Sequence, residues 1–151
     1  MAVQKKAGGT GVRKFRLKDY DRVLELWAEG RLPFRPRGRD SRMNLARQIR
    51  LPNALFLVAE NDGRVVGTVL ATHDGRKGWI NRLAVDSAYR GKGIGRRLVR
   101  EAERWLAGSG LSIFACLIED DNGGSMKFFK RLGYIKHTEI LYFSKRKHPG
   151  I

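Results

Sequence analysis

Residues 79–98 read W-I-N-R-L-A-V-D-S-A-Y-R-G-K-G-I-G-R-R-L. The apolar half, ending at Val85, predicts a strand. Gly91, Gly93 and Gly95 then crowd one turn, and a helix follows from about Ile94 to Leu106 with Ile94, Leu98, Ala102 and Trp105 on its apolar face. Glycines let a backbone approach a ligand closely and aim several N–H groups at one point. The positive end of the helix dipole lies at the same place, and Arg90, Lys92, Arg96 and Arg97 add full charges. Such a turn is built to hold a pyrophosphate. The opposing interpretation, a tight turn with solvated cations, leaves the convergence of three glycines, four cations and a helix start without a cause.

The spacing narrows the ligand. A Walker A loop requires Gly-Lys followed by Ser or Thr, which this turn lacks. The dinucleotide fingerprint would require glycine where Arg96 stands, and would sit at the first strand rather than late in the chain. What fits is Arg-x-x-Gly-x-Gly at Arg90, Gly93 and Gly95, after L-A-V-D and before R-R-L. This resembles the acetyl-coenzyme A motif of the GNAT N-acetyltransferase superfamily. Asn122, Ser125, Phe128, Phe129 and Leu132-Gly133-Tyr134 resemble that family's second conserved block, and the likeness spans about residues 12–143.

Outward from the turn, the chain predicts a strand at 12–17 and a helix capped by Asp19 or Asp21 and stopped by Gly30. A loop at 31–38 leads to a second helix from Asp40 or Ser41 to about Arg50. Strands at 54–60 and 64–72 are joined by Asn61-Asp62-Gly63, a hairpin signal because these residues tolerate positive φ. After the central segment come a strand at 111–118, a helix from Asp120–Asn122 to Leu132, and a last strand at 134–143. The expected fold class is α/β (mixed α+β): a largely antiparallel sheet flanked by about four helices, in the order β-α-α-β-β-β-α-β-α-β. Residues 1–11 read as a flexible leader and 12–146 as a single acetyltransferase domain.

The 151 residues suit one core, with 42% hydrophobic and 30% charged residues. A single cysteine, Cys116, cannot form an internal disulfide and fits a reducing compartment. The N-terminus shows no signal-peptide pattern and no apolar run is long enough to span a bilayer, so a soluble, cytoplasmic protein with no membrane partner is expected, either monomer or homodimer. His73, His137, His148 and Cys116 have no ligand spacing, and no metal is expected. Lys+Arg 31 against Asp+Glu 15 gives a net charge of +16. That field draws anions, and aromatic residues interleaved with cations admit nucleic acid or ribonucleoprotein as a partner.

The resemblance implies that acetyl-CoA is the co-substrate and that an amine attacks its thioester directly. Leu83, Ala84 and Val85 would line the pantetheine, with the Val85 N–H polarising the carbonyl. Arg90, Gly91, Lys92, Gly93, Ile94, Gly95 and Arg96 would cradle the pyrophosphate, joined by Asn122, Ser125, Phe128 and Phe129. Asn122 equally suits a helix cap, and the two phenylalanines suit the core. The family's usual glutamate falls at Asn81 and its usual tyrosine at Phe129, and neither residue can move a proton. Three routes stay open: a water at Asn81, a base at Glu119 or Asp120, or an amine already neutral at working pH. The residues at 32–50, which by the resemblance wall the acceptor site, are rich in arginine and imply an anionic acceptor. A sequence-indifferent nucleic-acid-binding domain and a non-catalytic CoA-binding relative are the alternatives.

Overall fold

The computed structural model describes residues 9–151, so most of the expected leader lies outside the described residues. Five strands form one sheet in the order β1-β2-β3-β4-β5: β1 (Gly11–Lys14), β2 (Ala54–Asn61), β3 (Arg64–His73), β4 (Gly78–Val85) and β5 (Phe114–Ala115). The first four pair antiparallel, and β5 runs parallel to β4. Helices α1 (Tyr20–Glu29) and α2 (Arg42–Gln48) cover one face, with α3 (Ile94–Gly108) and α4 (Gly123–Arg131) on the other.

Alternation in the strands builds both layers. On β2, Leu57 and Ala59 point to the α3 side, and Phe56 and Val58 to the α1 side. Ile94, Leu98, Val99, Ala102 and Leu106 form the buried stripe of α3. Complete burial of such a side chain contributes roughly 1.5–3 kcal/mol. Trp27, wholly buried, anchors α1 beneath the sheet. The β2–β3 hairpin turns through Asp62 and Gly63, at φ 48° and 77°, as their pairing of small polar residues dictates.

Several expectations are corrected. Strand β1 ends at Lys14 and Leu17 begins a short 3-10 turn, because Asp19 binds back to the Arg16 N–H and to Arg13. Gly11, assigned to the leader, is the first residue of β1. Ser41, not Asp40, caps α2 by accepting from the Asn44 N–H. Only residues 114–115 of the expected strand at 111–118 pair with a neighbour. The last strand, at 134–143, is absent, and Tyr142 within it is exposed. The shortened strand at 111–118 and the missing one at 134–143 share a cause: strand pairing is decided by a partner distant in sequence, which local pattern does not reveal.

Candidate active site

The geometry of β4 creates the site. Thr68 pairs with Ala84 but Leu70 pairs with Asn81, so β4 carries one more residue than β3 at this point. The bulge brings Arg82 to φ 55°, a conformation costly for a residue with a Cβ. It is held there from several sides. Thr68 Oγ1 donates to the Arg82 carbonyl at 2.7 Å and accepts from Trp27 Nε1 at 3.1 Å. One guanidinium nitrogen of Arg82, Nη2, donates to both Asp40 oxygens at 2.9 and 3.0 Å, while Nη1 donates to the Pro33 carbonyl and the group lies 5.0 Å from the centre of the Trp27 ring. Asp40 also accepts from the Arg35 N–H at 2.7 Å. One buried ion pair therefore fastens the arginine-rich loop at 31–40 to the bulged strand.

Beyond Trp79, β4 loses its pairing with β5. The two strands splay around a cleft of about 1000 Å³. Asn81, Arg82 and Leu83 form its floor, with Arg31, Arg39, Asn44, Arg47 and Gln48 on one wall. Cys116, Leu117, Ile118, Glu119, Asp121, Asn122, Ser125 and Phe129 form the other. Asp86 N–H is turned toward β3, donating to Val66. By strand alternation the Val85 N–H points to the opposite, splayed edge.

The turn after β4 runs from Asp86 through three glycines into the N-terminus of α3. Asp86 accepts from the Ala88 N–H and pairs with Arg22, which fixes the turn's start; these contacts hold its carboxyl below the usual range. Gly91 and Gly93 take φ 76° and 78°, and a side chain at either would project into open space. Their requirement is thus conformational rather than steric. Gly93 is the N-cap of α3 and no side chain caps it, so the N–H groups of the first turn are free to meet a ligand. Arg90, Gly91, Lys92 and Arg96 are exposed around them, and Arg90 donates to the Val85 carbonyl at 3.3 Å. Ile94 is buried in the core. Gly95 has no positive φ, and a Cβ there would make ordinary van der Waals contact with the Phe128 ring at 3.4 Å. The donors suit a pyrophosphate: backbone N–H groups, a helix dipole and several cations with no carboxylate among them.

The expected site residues separate accordingly. Asn81, Leu83, Glu119, Asn122, Ser125 and Phe129 line the cleft, while Asp120 does not and its neighbour Asp121 does. Ala84 is buried on the α1 face, so only its backbone is available to a ligand. Asn122 accepts from the Ser125 N–H at 3.1 Å and caps α4. Phe128 packs against Gly95, and Phe129 meets Tyr134 edge-on at 5.0 Å. Burial pushes the Cys116 thiol up to about 11, which makes it a poor nucleophile although it borders the cleft. The Arg82–Asp40 anchor and Asp121 were not foreseen. Asn81-Arg82, a polar pair interrupting an apolar strand, was the available signal for the bulge.

The model of the Acetyltransferase (GNAT) family matches residues 20–134. The chain belongs to that family. It is an acetyl-CoA-dependent N-acetyltransferase, and acetyl-CoA is its co-substrate. Solved GNAT folds superpose along nearly the whole chain. A transcriptional regulator from Bacillus halodurans is 20% identical, with TM-score 0.75 and coverage of 91% of this chain and 100% of that one. An aminoglycoside N-acetyltransferase in complex with CoA is 17% identical, with TM-score 0.78 and coverage of 95% and 99%. A glucosamine-6-phosphate N-acetyltransferase from Arabidopsis thaliana is 18% identical, with TM-score 0.69 and coverage of 93% and 99%. Among the described residues of this acetyltransferase no His/Cys/Asp/Glu cluster could hold a metal ion, and no helix is long and apolar enough to cross a membrane.

The Arg82–Asp40 pair makes a stability prediction. Both side chains are largely buried, at 14% and 7% exposure, so removing one partner strands the other's charge. Asp40→Asn or Arg82→Met is expected to cost about 3–5 kcal/mol, a fall in Tm on the order of 10 °C for a chain of this size. Thermal melts followed by circular dichroism check this. The double variant should recover part of the loss, since it leaves no unpaired charge.

Proposed function

We propose that this acetyltransferase acetylates the amine of an anionic acceptor, such as an amino acid or an acidic peptide N-terminus, by direct attack within a ternary complex. The observation carrying this reading is the polarity of the cleft. Arg31, Arg39 and Arg47 line one wall, and Glu119 and Asp121 stand on the other. Arginine forks on the first wall recognise carboxylate or phosphate, and the second wall draws the acceptor's ammonium toward the splay.

The chain's own groups divide the work. The uncapped first turn of α3 and its neighbouring cations bind the pyrophosphate. The Val85 N–H, facing the splayed edge, donates to the thioester carbonyl and stabilises the negative charge that develops there. Asn81 orients a water that passes the ammonium proton to Glu119. The amine nitrogen then bonds to the acetyl carbon and the C–S bond breaks; the nitrogen's second proton passes through the relay to the departing thiolate, and the first leaves Glu119 for solvent. Phe129 cannot supply that proton, so the relay serves both steps. An α-amino group, ordinarily about 7.7–8.0, gives up its proton more readily at neutral pH than a lysine does, which favours it as acceptor.

A screen of amines by thiol release tests the reading. Acidic peptides with free N-termini should react faster than the same peptides amidated at their carboxylates. Arg39→Ala and Arg47→Ala should raise the acceptor KM by roughly tenfold, the scale of one charge-assisted contact, and leave acetyl-CoA affinity unchanged. Equal rates for acidic and neutral acceptors would contradict it.

A further inference from the structure

Helices α3 and α4 lie side by side on one face of the sheet, and the surface they present to solvent is strongly basic. Phe128 of α4 packs against Gly95 of α3. Further along, Arg100 and Glu103 of α3 act electrostatically on Tyr134, which meets Phe129 of α4 edge-on. Arg96 and Arg100 from α3 and Lys127, Lys130 and Arg131 from α4 are all exposed. Among the described residues none of these five has an ion-pair partner. Helix α4 contains no acid. Of the two acids on α3, Glu101 pairs with Arg104, and burial pushes the Glu103 carboxyl up, toward its neutral form.

Arg96 and Arg100 stand four residues apart on α3, as Lys127 and Arg131 do on α4, and like charges at that spacing repel. The two helices supply no free carboxylate to relieve them. Two observations choose the anion that does. First, the exposed large apolar side chains of the described residues all lie outside α3 and α4. The surface therefore lacks the apolar centre of a protein interface and the apolar face of a membrane-bound helix. Second, its aromatic neighbours Phe128, Phe129 and Tyr134 are packed into the core, which leaves no stacking platform for unpaired bases. What remains is an array of cations across two helices, and that suits the regular phosphates of a duplex.

We infer that the α3–α4 surface holds a nucleic-acid duplex by its phosphate backbone, without reading its sequence. Helices α1 and α2 cover the opposite face of the sheet, so a docked duplex leaves the arginine-lined wall of the cleft open. Only Arg96 is shared with the turn that meets the pyrophosphate. The association does not depend on which amine is acetylated.

Fluorescence anisotropy of the full chain with a labelled duplex of about 20 base pairs and arbitrary sequence tests this. Five phosphate contacts predict a log–log salt slope of about −4, a loss on the order of a few hundredfold between about 50 and 200 mM salt. Arg100→Gln, Lys127→Gln and Arg131→Gln together should bring the slope to about −2. Acetyl-CoA affinity and the circular-dichroism spectrum of that variant should match wild type. Lys18→Gln, Arg37→Gln and Arg50→Gln remove the same charge from exposed positions outside the two helices and should leave the slope as it was. Saturating acetyl-CoA should weaken duplex binding by no more than about tenfold, the share of one phosphate contact.

No binding at low salt would overturn the inference. Equal losses in the two triple variants would reduce it to net charge alone, and full displacement by acetyl-CoA would return the surface to the cofactor. A single strand bound more tightly than the duplex would also contradict it. Polyglutamate bound as tightly at equal charge would assign the surface to an acidic polypeptide instead.

Discussion

Glu119→Gln is expected to lower kcat/KM for the acceptor by about 10²–10⁴ at neutral pH, the usual contribution of a positioned base, while acetyl-CoA binds as before. Glu119 is the carboxylate that both lines the cleft and ends the stretch leading out of β5. The variant keeps the size of the side chain and removes its ability to hold a proton. Asp120→Asn should remain close to wild type, because Asp120 lies outside the cleft lining. Asp121 lines the cleft, so Asp121→Asn is the informative control for a shared role. The deficit should also shrink with rising pH. An acceptor α-amine loses its own proton at about pH 7.7–8.0, and above that range it no longer needs a base. Equal activity of the Glu119 and Asp120 variants across pH would remove the relay through Asn81 and leave an enzyme that selects amines already neutral.

Gly93→Asp should reduce acetyl-CoA affinity by on the order of a hundredfold, close to 3 kcal/mol. Two effects combine. The residue sits at φ 78°, where a side chain adds strain of about 1–2 kcal/mol. Its carboxylate would also stand at the uncapped N-terminus of α3, competing with the pyrophosphate for the same N–H groups. The fold should tolerate the change, since nothing lies within 4 Å of the new Cβ. Gly93→Ala separates the two effects: it keeps the strain, lacks the charge and should lose about tenfold. Calorimetry on both variants, with melts to check folding, reads the difference. If Gly93→Asp binds as wild type does, the pyrophosphate is held elsewhere.

What could be read from sequence was what local chemistry determines. Gly91 and Gly93 announced a tight turn, Asp62-Gly63 announced the hairpin, and the spacing of Ile94, Leu98 and Ala102 announced α3. Each depends on a few neighbouring residues. The glycine-rich turn leading into α3 was legible for that reason. The cleft was less so, because it arises where β4 gains a residue against β3 and parts from β5, and register belongs to pairs of strands. Asp40 looked like a helix cap, since acids before helices commonly are, yet its partner is Arg82, distant in sequence. Residues 134–143 looked like a strand, and their composition still describes one.

The central claim is that the turn at residues 90–96 binds the pyrophosphate of acetyl-CoA. It is tested most directly by titrating the wild-type protein with acetyl-CoA and, in parallel, with acetyl-pantetheine, which keeps the thioester arm and lacks the pyrophosphate. Micromolar binding of acetyl-CoA that weakens with salt, with acetyl-pantetheine bound far more weakly, is the predicted result. Equal affinity for the two ligands, or no binding of acetyl-CoA at low salt, would contradict it.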